Sequence, residues 1–557
     1  MTKFPKVGLI ASVLAAAIFV LTACTGTGDV RPVGFDDFMI DLTEVDQTVQ
    51  LGWTGIDMNI ARSLTIAMAC TGGGGYLRDV GRDPTLDLSE IESLRAASIT
   101  AAARVFNNYF PNVTINFFWP ASGGDWVTHR TNFANEHGYH PHIMMSRQVP
   151  EEIQRGTIGD LTIFADDPVW YLMNPTLKRM MMVHDRIWAL PFLAIPYGIY
   201  VNRTLAENQN LDAPPINWTM QEYIQFVSNM RSNEYYGAHD IPGQARGIWN
   251  TISRDFHYNL TFREAGDPFV RMDTQAQREV HAFMPQVARF SWRQLVNVGS
   301  ASTVFSGGRS EWLMFAEGLF LTYSRNPFNI SYAADPNSPR RVQAPDWDLY
   351  PRPASDWVHN HVGLYVLPIV LHNIAMTDGD PTLSPDEYLQ KLLAWEFLRF
   401  FTFDLRAWTA KASTTFGEHD STALDAVFPF TVGQLYWDML DLFFQATQRS
   451  AFANPNRFPA FHYVMELWQS GNNWGVWPYM FPWYTQIDGA RRPILAEWNS
   501  RVTGVGARIL DPNWLDQIYV HLPIWDDLFN SRWEHVHNNL MNDIERWYTT
   551  VPARQTW

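Results

Sequence analysis

Trp119, Asp125 and Trp126 place two large aromatic rings and a carboxylate within one short segment. Sugar rings present C–H faces that pack on aromatic planes, and their hydroxyls donate hydrogen bonds to carboxylates. The chain holds 24 Trp, and aromatic residues make up 14% of it. Most of these rings must fill cores because their flat faces bury large areas. We expect Trp119 and Trp126 to line a carbohydrate-binding cleft; the alternative is that both rings only pack.

Other clusters of reactive residues do not match known catalytic or metal-binding patterns. His137, His140 and His142 are close in sequence, but Pro141 breaks any helix and the HExxH spacing of a zinc site is absent. The run Gly72–Gly75 is not followed by the Lys-Ser/Thr of a phosphate loop. We therefore predict no catalytic residue, no metal and no cofactor. A glycosidase leaves no fixed carboxylate spacing, so a membrane-anchored glycan-cleaving enzyme remains the alternative.

Composition excludes two classes of protein. The formal net charge of -16, without a cationic run beyond the N-terminus, opposes binding to phosphate backbones, so nucleic acid is not an expected partner. Only Cys24 and Cys70 are present, which excludes a disulfide scaffold. With 557 residues, 46% of them hydrophobic and 18% charged, the chain can bury large cores, and we expect at least two lobes.

The N-terminus has the layout of a secretory signal. Lys3 and Lys6 precede an uncharged stretch, Val7–Leu21, that is short for a membrane span. The segment ends in Leu-Thr-Ala-Cys, which resembles the bacterial lipobox and implies cleavage after residue 23 and diacylglycerol on Cys24. An ordinary signal peptide or an uncleaved anchor is the alternative. We expect residues 1–23 to be removed, residues 24–60 to form a tether, and the protein to lie at the extracytoplasmic face of the cell membrane.

The periodicity of the next segments predicts an α/β lobe. Apolar runs indicate strands at Arg62–Cys70, Val113–Trp119 and His142–Ser146, and helical spacing covers Ile91–Tyr109. Strand, helix and strand in this order predict a parallel sheet, whose ligands bind beyond the carboxyl ends of the strands. Ser146 and Arg147 at the end of the third strand are therefore candidate ligand-binding residues. Further elements are predicted as strands at 319–323 and 364–369, helices at 388–401, 434–446 and 533–548, and a packed loop at 474–483.

Several segments, in order, resemble the extracellular solute-binding proteins that serve ABC importers for sugars and related solutes. They are Ala101–Trp119, His140–Met145, Gly156–Phe164, Arg186–Glu207, Pro214–Pro215 with Trp218–Phe226, Phe315–Phe328, Trp347–Pro353, Gly363–Ile369 and Ala394–Thr402. Two positions depart from the family pattern. His142 stands in place of an acid, and Leu319 stands where lysine is usual.

The resemblance implies a periplasmic-binding-protein-like type II fold: two α/β lobes, joined by a hinge, that close on a ligand in the cleft between them. It places the first lobe at 61–195, the second at 196–350 and a return to the first at 351–410. Residues 411–557 are then mainly second lobe and C-terminal extension. The implied partners of this monomer are a small solute, by composition a sugar, and the permease subunits of an ABC importer. A sensory lipoprotein of the same fold is an alternative.

The resemblance also implies ligand-binding residues away from the first lobe. Tyr197 lies at the first crossover between the lobes, where an aromatic ring would face the floor of the cleft. The other residues that these family positions indicate are Trp249, Arg325, Asn326, His361, Gly363 and Glu418.

Overall fold

A computed structural model describes most of the chain between residues 52 and 476. The described residues are 52–68, 75–86, 94–119, 126–146, 149–174, 177–178, 181–183, 186–230, 235–238, 318–325, 346–354, 359–373, 385–412, 429–432, 436–440, 455–470 and 474–476.

Residues 63–145 form the predicted parallel sheet and add one short antiparallel strand at its edge. The elements of this segment are β1 (Ser63–Ala67), β2 (Gly75–Leu77), α1 (Leu94–Tyr109), β3 (Thr114–Trp119), α2 (Trp126–His137) and β4 (Ile143–Met145). β1 lies between β3 and β4 and is parallel to both, which confirms the predicted strand–helix–strand unit. The apolar residues of these strands are buried, and α1 ends two residues before Pro111, which cannot continue a helix.

The next segment leaves this sheet through one long strand. Its elements are α3 (Val149–Arg155), a 3-10 turn (Thr162–Phe164), α4 (Val169–Leu172), β5 (Met182–Val183), β6 (Arg186–Ile187), β7 (Leu190–Asn202), α5 (Arg203–Asn208), α6 (Met220–Ser228) and β8 (Tyr236–Ala238). The Asn202 side chain caps α5 by accepting from the Leu205 N–H, and Thr219 with Glu222 forms a capping box on α6.

The chain then returns along a second long strand. Its elements are β9 (Phe320–Arg325), β10 (Trp347–Tyr350), β11 (Val362–Leu371), α7 (Pro385–Phe403), α8 (Leu405–Ala412), α9 (Pro459–Ser470) and β12 (Trp474–Val476). The predicted strands at 319–323 and 364–369 and the helix at 388–401 are confirmed; the first strand is shifted toward Arg325, and the other two elements are longer than predicted. Residues 436–440 are helical within the predicted helix 434–446. The segment predicted as a loop at 474–483 begins instead with β12, because Trp474–Val476 gains a parallel partner in Val362–Leu364 of β11. Residues 477–483 and the helix predicted at 533–548 lie outside the described residues.

One sheet joins these segments in the order β2-β3-β1-β4-β11-β7-β9-β8, with β10 on β7 and β12 on β11. β7 pairs with β11 from Leu190 to Tyr197 and then with β9 and β10 from Gly198 to Asn202. The long strands β7 and β11 therefore link the parallel strands to the β8–β10 part of the sheet.

Two clusters of buried side chains lie along this sheet. The first includes Phe117, Leu193 and Trp395, and the second includes Trp218 and Tyr223. Up to Ile195 the fully buried side chains of β7 belong to the first cluster. From Ile199 onward they alternate, with Tyr200 in the first cluster and Val201 in the second. The middle of β7 thus lies where the two clusters meet.

Both ends of the described chain add to the first cluster. Trp53 and Ile56, which we predicted in the tether, pack against it. From the predicted C-terminal extension, Tyr436 and Trp468 belong to it, and Ala460 belongs to the second cluster. None of the helices in the described ranges combines the length and the apolar character needed to cross a bilayer.

Candidate ligand-binding site

Three of the predicted site residues meet where β7 changes partners. Tyr197 lies opposite Gly363 of β11, and the next residue, Gly198, lies opposite Arg325 at the end of β9. On its other side, Gly363 lies opposite Gly475 of β12. We call this place the strand crossing. Segments far apart in sequence converge there because both long strands pass through it.

Arg352 joins the strand crossing from the segment after β10. Its N–H donates to the His361 carbonyl at 2.8 Å, which ties residue 352 to the start of β11. The Arg352 side chain then passes over Gly363. A Cβ on Gly363 would lie 2.9 Å from Nη2 of Arg352 and 3.0 Å from Cβ of Tyr197. These approaches are closer than ordinary van der Waals contact, so glycine leaves room for both neighbours.

Two properties of the Arg352 guanidinium bear on ligand binding: its pKa and the hydrogen bonding of its Nε. Burial lowers the pKa of its guanidinium to about 10, against an opposing contribution from Tyr197. Its Nε is enclosed and has no hydrogen-bond partner in the described part of the chain, although the residue as a whole is half-buried. A guanidinium carries five N–H donors in a planar fork. The strand crossing therefore presents donors suited to hydroxyl or carboxylate oxygens. Sequence analysis missed Arg352, whose one signal is an arginine between two prolines just before the return strand.

The other predicted residues at the strand crossing differ in their burial and in the contacts they make. Tyr197 is half-buried and packs on the first cluster. His361 is buried, and its Nδ1 lies 3.1 Å from the His359 carbonyl. Arg325 is placed by its backbone at the last position of β9. Tyr197 thus offers a half-buried aromatic ring beside Arg352, whereas the His361 ring is enclosed.

Two further predicted residues lie at the carboxyl end of β3 and at the start of the helix that follows it. Trp119 is half-buried, with its ring 5.5 Å from that of Phe117, and it lies flat against Gly75, where a Cβ would be 2.4 Å from the indole. Trp126 is the first residue of α2. The Trp119 ring therefore covers the β2 edge of the sheet.

Ser146 lies at the end of β4 in an enclosed polar cluster. Its hydroxyl is buried and donates to Glu152 at 3.2 Å, and both terminal nitrogens of Arg130 donate to the same carboxylate at 2.7 Å. The Ser146 N–H donates to the Pro368 carbonyl of β11 at 3.0 Å. A ligand would reach the Ser146 hydroxyl only if this cluster opened.

β11 connects this edge to the strand crossing. Because β4 and β11 are antiparallel, the line of β4 continued past Ser146 runs along β11 from Pro368 toward Gly363. At about 3.3 Å per residue, those five residues span about 17 Å. The strand crossing therefore lies beyond the carboxyl ends of the parallel strands, where open α/β sheets bind their ligands.

The closely spaced histidines make separate contacts. The His140 ring stacks on His372 at 4.5 Å, and His142 accepts the Thr65 N–H at 3.0 Å through Nδ1. Burial lowers the pKa of His142 to about 4 and, with His140 nearby, that of His372 to about 3. Among the described residues, no three side chains of the His, Cys, Asp or Glu type are grouped to hold a metal ion.

The remaining predicted site residues lie outside the described part of the chain. They are Cys24, Asp125, Arg147, Trp249, Asn326 and Glu418.

Comparison with known proteins identifies the fold. No protein-family model and no curated protein matches the sequence. Among solved structures, an ABC substrate-binding protein of Listeria monocytogenes in complex with cycloalternan aligns with a TM-score of 0.51 at 11% identity, over 87% of this chain and 99% of that one. A cyclic alpha-maltosyl-1,6-maltose binding protein of Arthrobacter globiformis aligns with a TM-score of 0.52 at 14% identity, over 87% of this chain and 100% of that one. The predicted fold class is confirmed: this chain has the mixed α/β fold of the substrate-binding proteins of ABC transporters.

Proposed function

We propose that this protein captures a carbohydrate outside the cytoplasm and delivers it to an ABC importer. The observation that carries the proposal is the shared fold over essentially the full length of two solved binding proteins whose ligands are sugars. The abundance of tryptophan supports the same substrate class, since aromatic faces stack on sugar rings.

Capture would use hinge closure. The first lobe, residues 61–195 and 351–410, and the second, residues 196–350 with most of 411–557, would approach each other about β7 and β11. Ligand contacts to both lobes would shift the population toward the closed form. The strand crossing is suited to the floor of such a cleft because two long strands place Tyr197 and Arg352 where the two buried clusters meet.

The N-terminal pattern supports attachment to the membrane. Residues 1–23 would be removed as a signal peptide and Cys24 would carry lipid, leaving the monomeric body at the extracytoplasmic face. Permease subunits of an importer would recognise the closed, liganded form. The protein would then need no catalytic residue, metal or cofactor.

A thermal-shift screen tests the proposal. The chain from Thr25 onward is heated with mono- and oligosaccharides, peptides and polyamines, because a ligand that binds only the native state raises Tm. We expect one class of sugar to give a saturable rise and to remain intact on long incubation. Consumption of the sugar would favour the membrane-anchored glycan-cleaving enzyme instead, and a rise with peptides alone would overturn the carbohydrate assignment.

Substitution of Trp119 tests the site within the same screen. We expect Trp119→Ala to weaken sugar binding by about 1–3 kcal/mol, by analogy with the loss of an aromatic ring that stacks on a nucleic-acid base. Tyr171, 81% exposed on α4, provides a control, because Tyr171→Ala removes an exposed aromatic ring from an element outside the strand crossing. If Trp119→Ala binds the sugar as tightly as Tyr171→Ala does, the Trp119 ring only packs and does not contact the ligand.

A further inference from the structure

Arg352 differs from the most buried arginines of the described chain in having no carboxylate partner. Arg130 pairs with Glu152 at 2.7 Å, Arg399 with Glu396 at 2.8 Å, and Arg406 with Asp404 at 2.7 Å. No described carboxylate lies within ion-pair distance of Arg352, and the described group that acts on its charge is the phenol of Tyr197. A desolvated guanidinium beside a phenol keeps an uncompensated positive charge.

We infer that Arg352 binds a carboxylate of the ligand and that the preferred solute is an acidic sugar, such as a uronic-acid-containing oligosaccharide. This inference rests on the proposed function. A neutral hydroxyl can accept a hydrogen bond from the guanidinium but leaves its charge unbalanced. A carboxylate satisfies two donors of the planar fork at once and supplies the missing charge.

The surroundings of Arg352 favour a sugar carboxylate in particular. Tyr197 provides a half-buried ring next to the guanidinium, so a pyranose could stack while its carboxylate reaches Arg352. Gly363 keeps the space between the two side chains clear of any Cβ. Because the protein as a whole carries a net charge of -16, long-range attraction would not favour an anion. Recognition would therefore depend on this local pair of groups.

Matched acidic and neutral ligands test the inference. Calorimetric titration compares glucuronate- and galacturonate-containing di- to tetrasaccharides with their methyl esters, which differ only in the charge and bulk of the carboxyl group. We expect the acid form of the preferred sugar to bind about 10- to 100-fold more tightly than its ester, the range for a hydrogen bond to a charged group.

Two variants assign the preference to Arg352. Arg352→Gln should abolish the discrimination between acid and ester, and Arg352→Lys, which keeps the charge but loses the fork, should retain part of it. Arg82→Gln is the control, since Arg82 is exposed in the turn after β2 and pairs with Asp79. The melting temperature of each variant shows that it is folded.

The outcomes separate this inference from the proposed function. If neutral sugars bind as tightly as acids, or if Arg352→Gln leaves the ratio unchanged, the acidic-sugar inference is overturned while carbohydrate capture stands. If no sugar of either kind binds, both are overturned. Binding of a non-sugar dicarboxylate such as glutarate in place of sugars would likewise overturn both, because the inferred solute is a sugar.

Discussion

Gly363 lies directly beneath the guanidinium of Arg352. A Cβ at position 363 would lie 2.9 Å from Nη2 and 3.1 Å from Nε of Arg352, and 3.0 Å from Cβ of Tyr197. The hydrogen that glycine carries instead lets the arginine and the tyrosine approach the same stretch of backbone.

We expect Gly363→Ala to impair binding more than folding. The added methyl group would displace the flexible Arg352 side chain and press on Tyr197, with an overpacking cost of about 1–3 kcal/mol in stability. Affinity for the sugar identified by thermal shift should fall by about tenfold or more because two binding groups move together. Gly52→Ala is the control, since nothing lies within 4 Å of a Cβ there. Unchanged affinity in Gly363→Ala would remove the strand crossing from the binding site.

The buried pair Arg130–Glu152 should contribute strongly to stability. Glu152→Gln leaves the Arg130 guanidinium without a counter-charge in the interior, and breaking a buried pair in this way costs about 3–5 kcal/mol. Asp79→Asn breaks a pair whose side chains are more than a third exposed, and it should cost about 0–1 kcal/mol. Urea denaturation of the two variants measures both costs. Equal costs would show that the Arg130–Glu152 pair is not desolvated in solution.

Stability should fall in mild acid because of His142 and His372. Burial lowers the folded-state pKa of His142 to about 4 and that of His372 to about 3, whereas the unfolded chain binds the same protons near pH 6.5. The stability that the two neutral imidazoles give the fold is therefore complete above pH 6.5. It is lost as pH falls toward 4 for His142 and toward 3 for His372. Each group contributes about 1.4 kcal/mol per pH unit within its window.

Single substitutions isolate this effect from the other titrating groups. His372→Gln should flatten the decline in the free energy of unfolding between pH 6.5 and 4, measured by urea denaturation at each pH. His359→Gln, at an exposed position, should keep the wild-type slope. The comparison is needed because Asp348, whose pKa burial raises to about 6, stabilises the fold as pH falls through the same range. A His372→Gln profile parallel to wild type would contradict the assignment.

Trp53 should anchor residues 52–60 to the first cluster of buried side chains. Its ring lies 5.0 Å from Phe110 and 5.7 Å from Phe400, and the Arg406 guanidinium lies 4.9 Å from its centre. The next residue, Thr54, donates its N–H to Glu396 at 2.9 Å. Trp53→Ala should lower the free energy of unfolding by about 2 kcal/mol or more, because a large aromatic side chain is removed. Met58→Ala, at a residue 39% exposed in the same segment, should change it little.

Truncation gives a second test of the same segment. A chain that starts at Arg62 lacks Trp53 and should melt below one that starts at Gln50. Equal melting temperatures would show that residues 52–60 add no stability to the fold, as expected of a tether.

The sequence predicted the elements of the parallel sheet well. The strands around Leu64, Phe117 and Met144 and the helix before Pro111 follow from local hydrophobic runs and a helix breaker, which act within a few residues. It did not predict the lengths of β7 and β11 or the short strand β12, because a partner strand must be present before an extended segment gains its hydrogen bonds.

The residues of the candidate site likewise fall into those that the sequence predicted and those that only the structure revealed. Residue chemistry and family resemblance were sufficient to select Tyr197, Arg325 and Gly363. Arg352 was missed because a single arginine between prolines gives no local sign that it will be buried away from every carboxylate of the described residues. The Ser146 hydroxyl was predicted for the ligand, but the fold directs it toward Glu152.

The sequence by itself thus determined which segments are helix or strand, the aromatic and acidic composition and the choice of candidate residues, since these depend on side-chain chemistry and short-range periodicity. The tertiary structure alone decided that Tyr197, Arg352 and Gly363 meet at the strand crossing. Strand register and close approach across a glycine arise from contacts between segments far apart in the chain, and these are fixed only when the whole sheet has assembled.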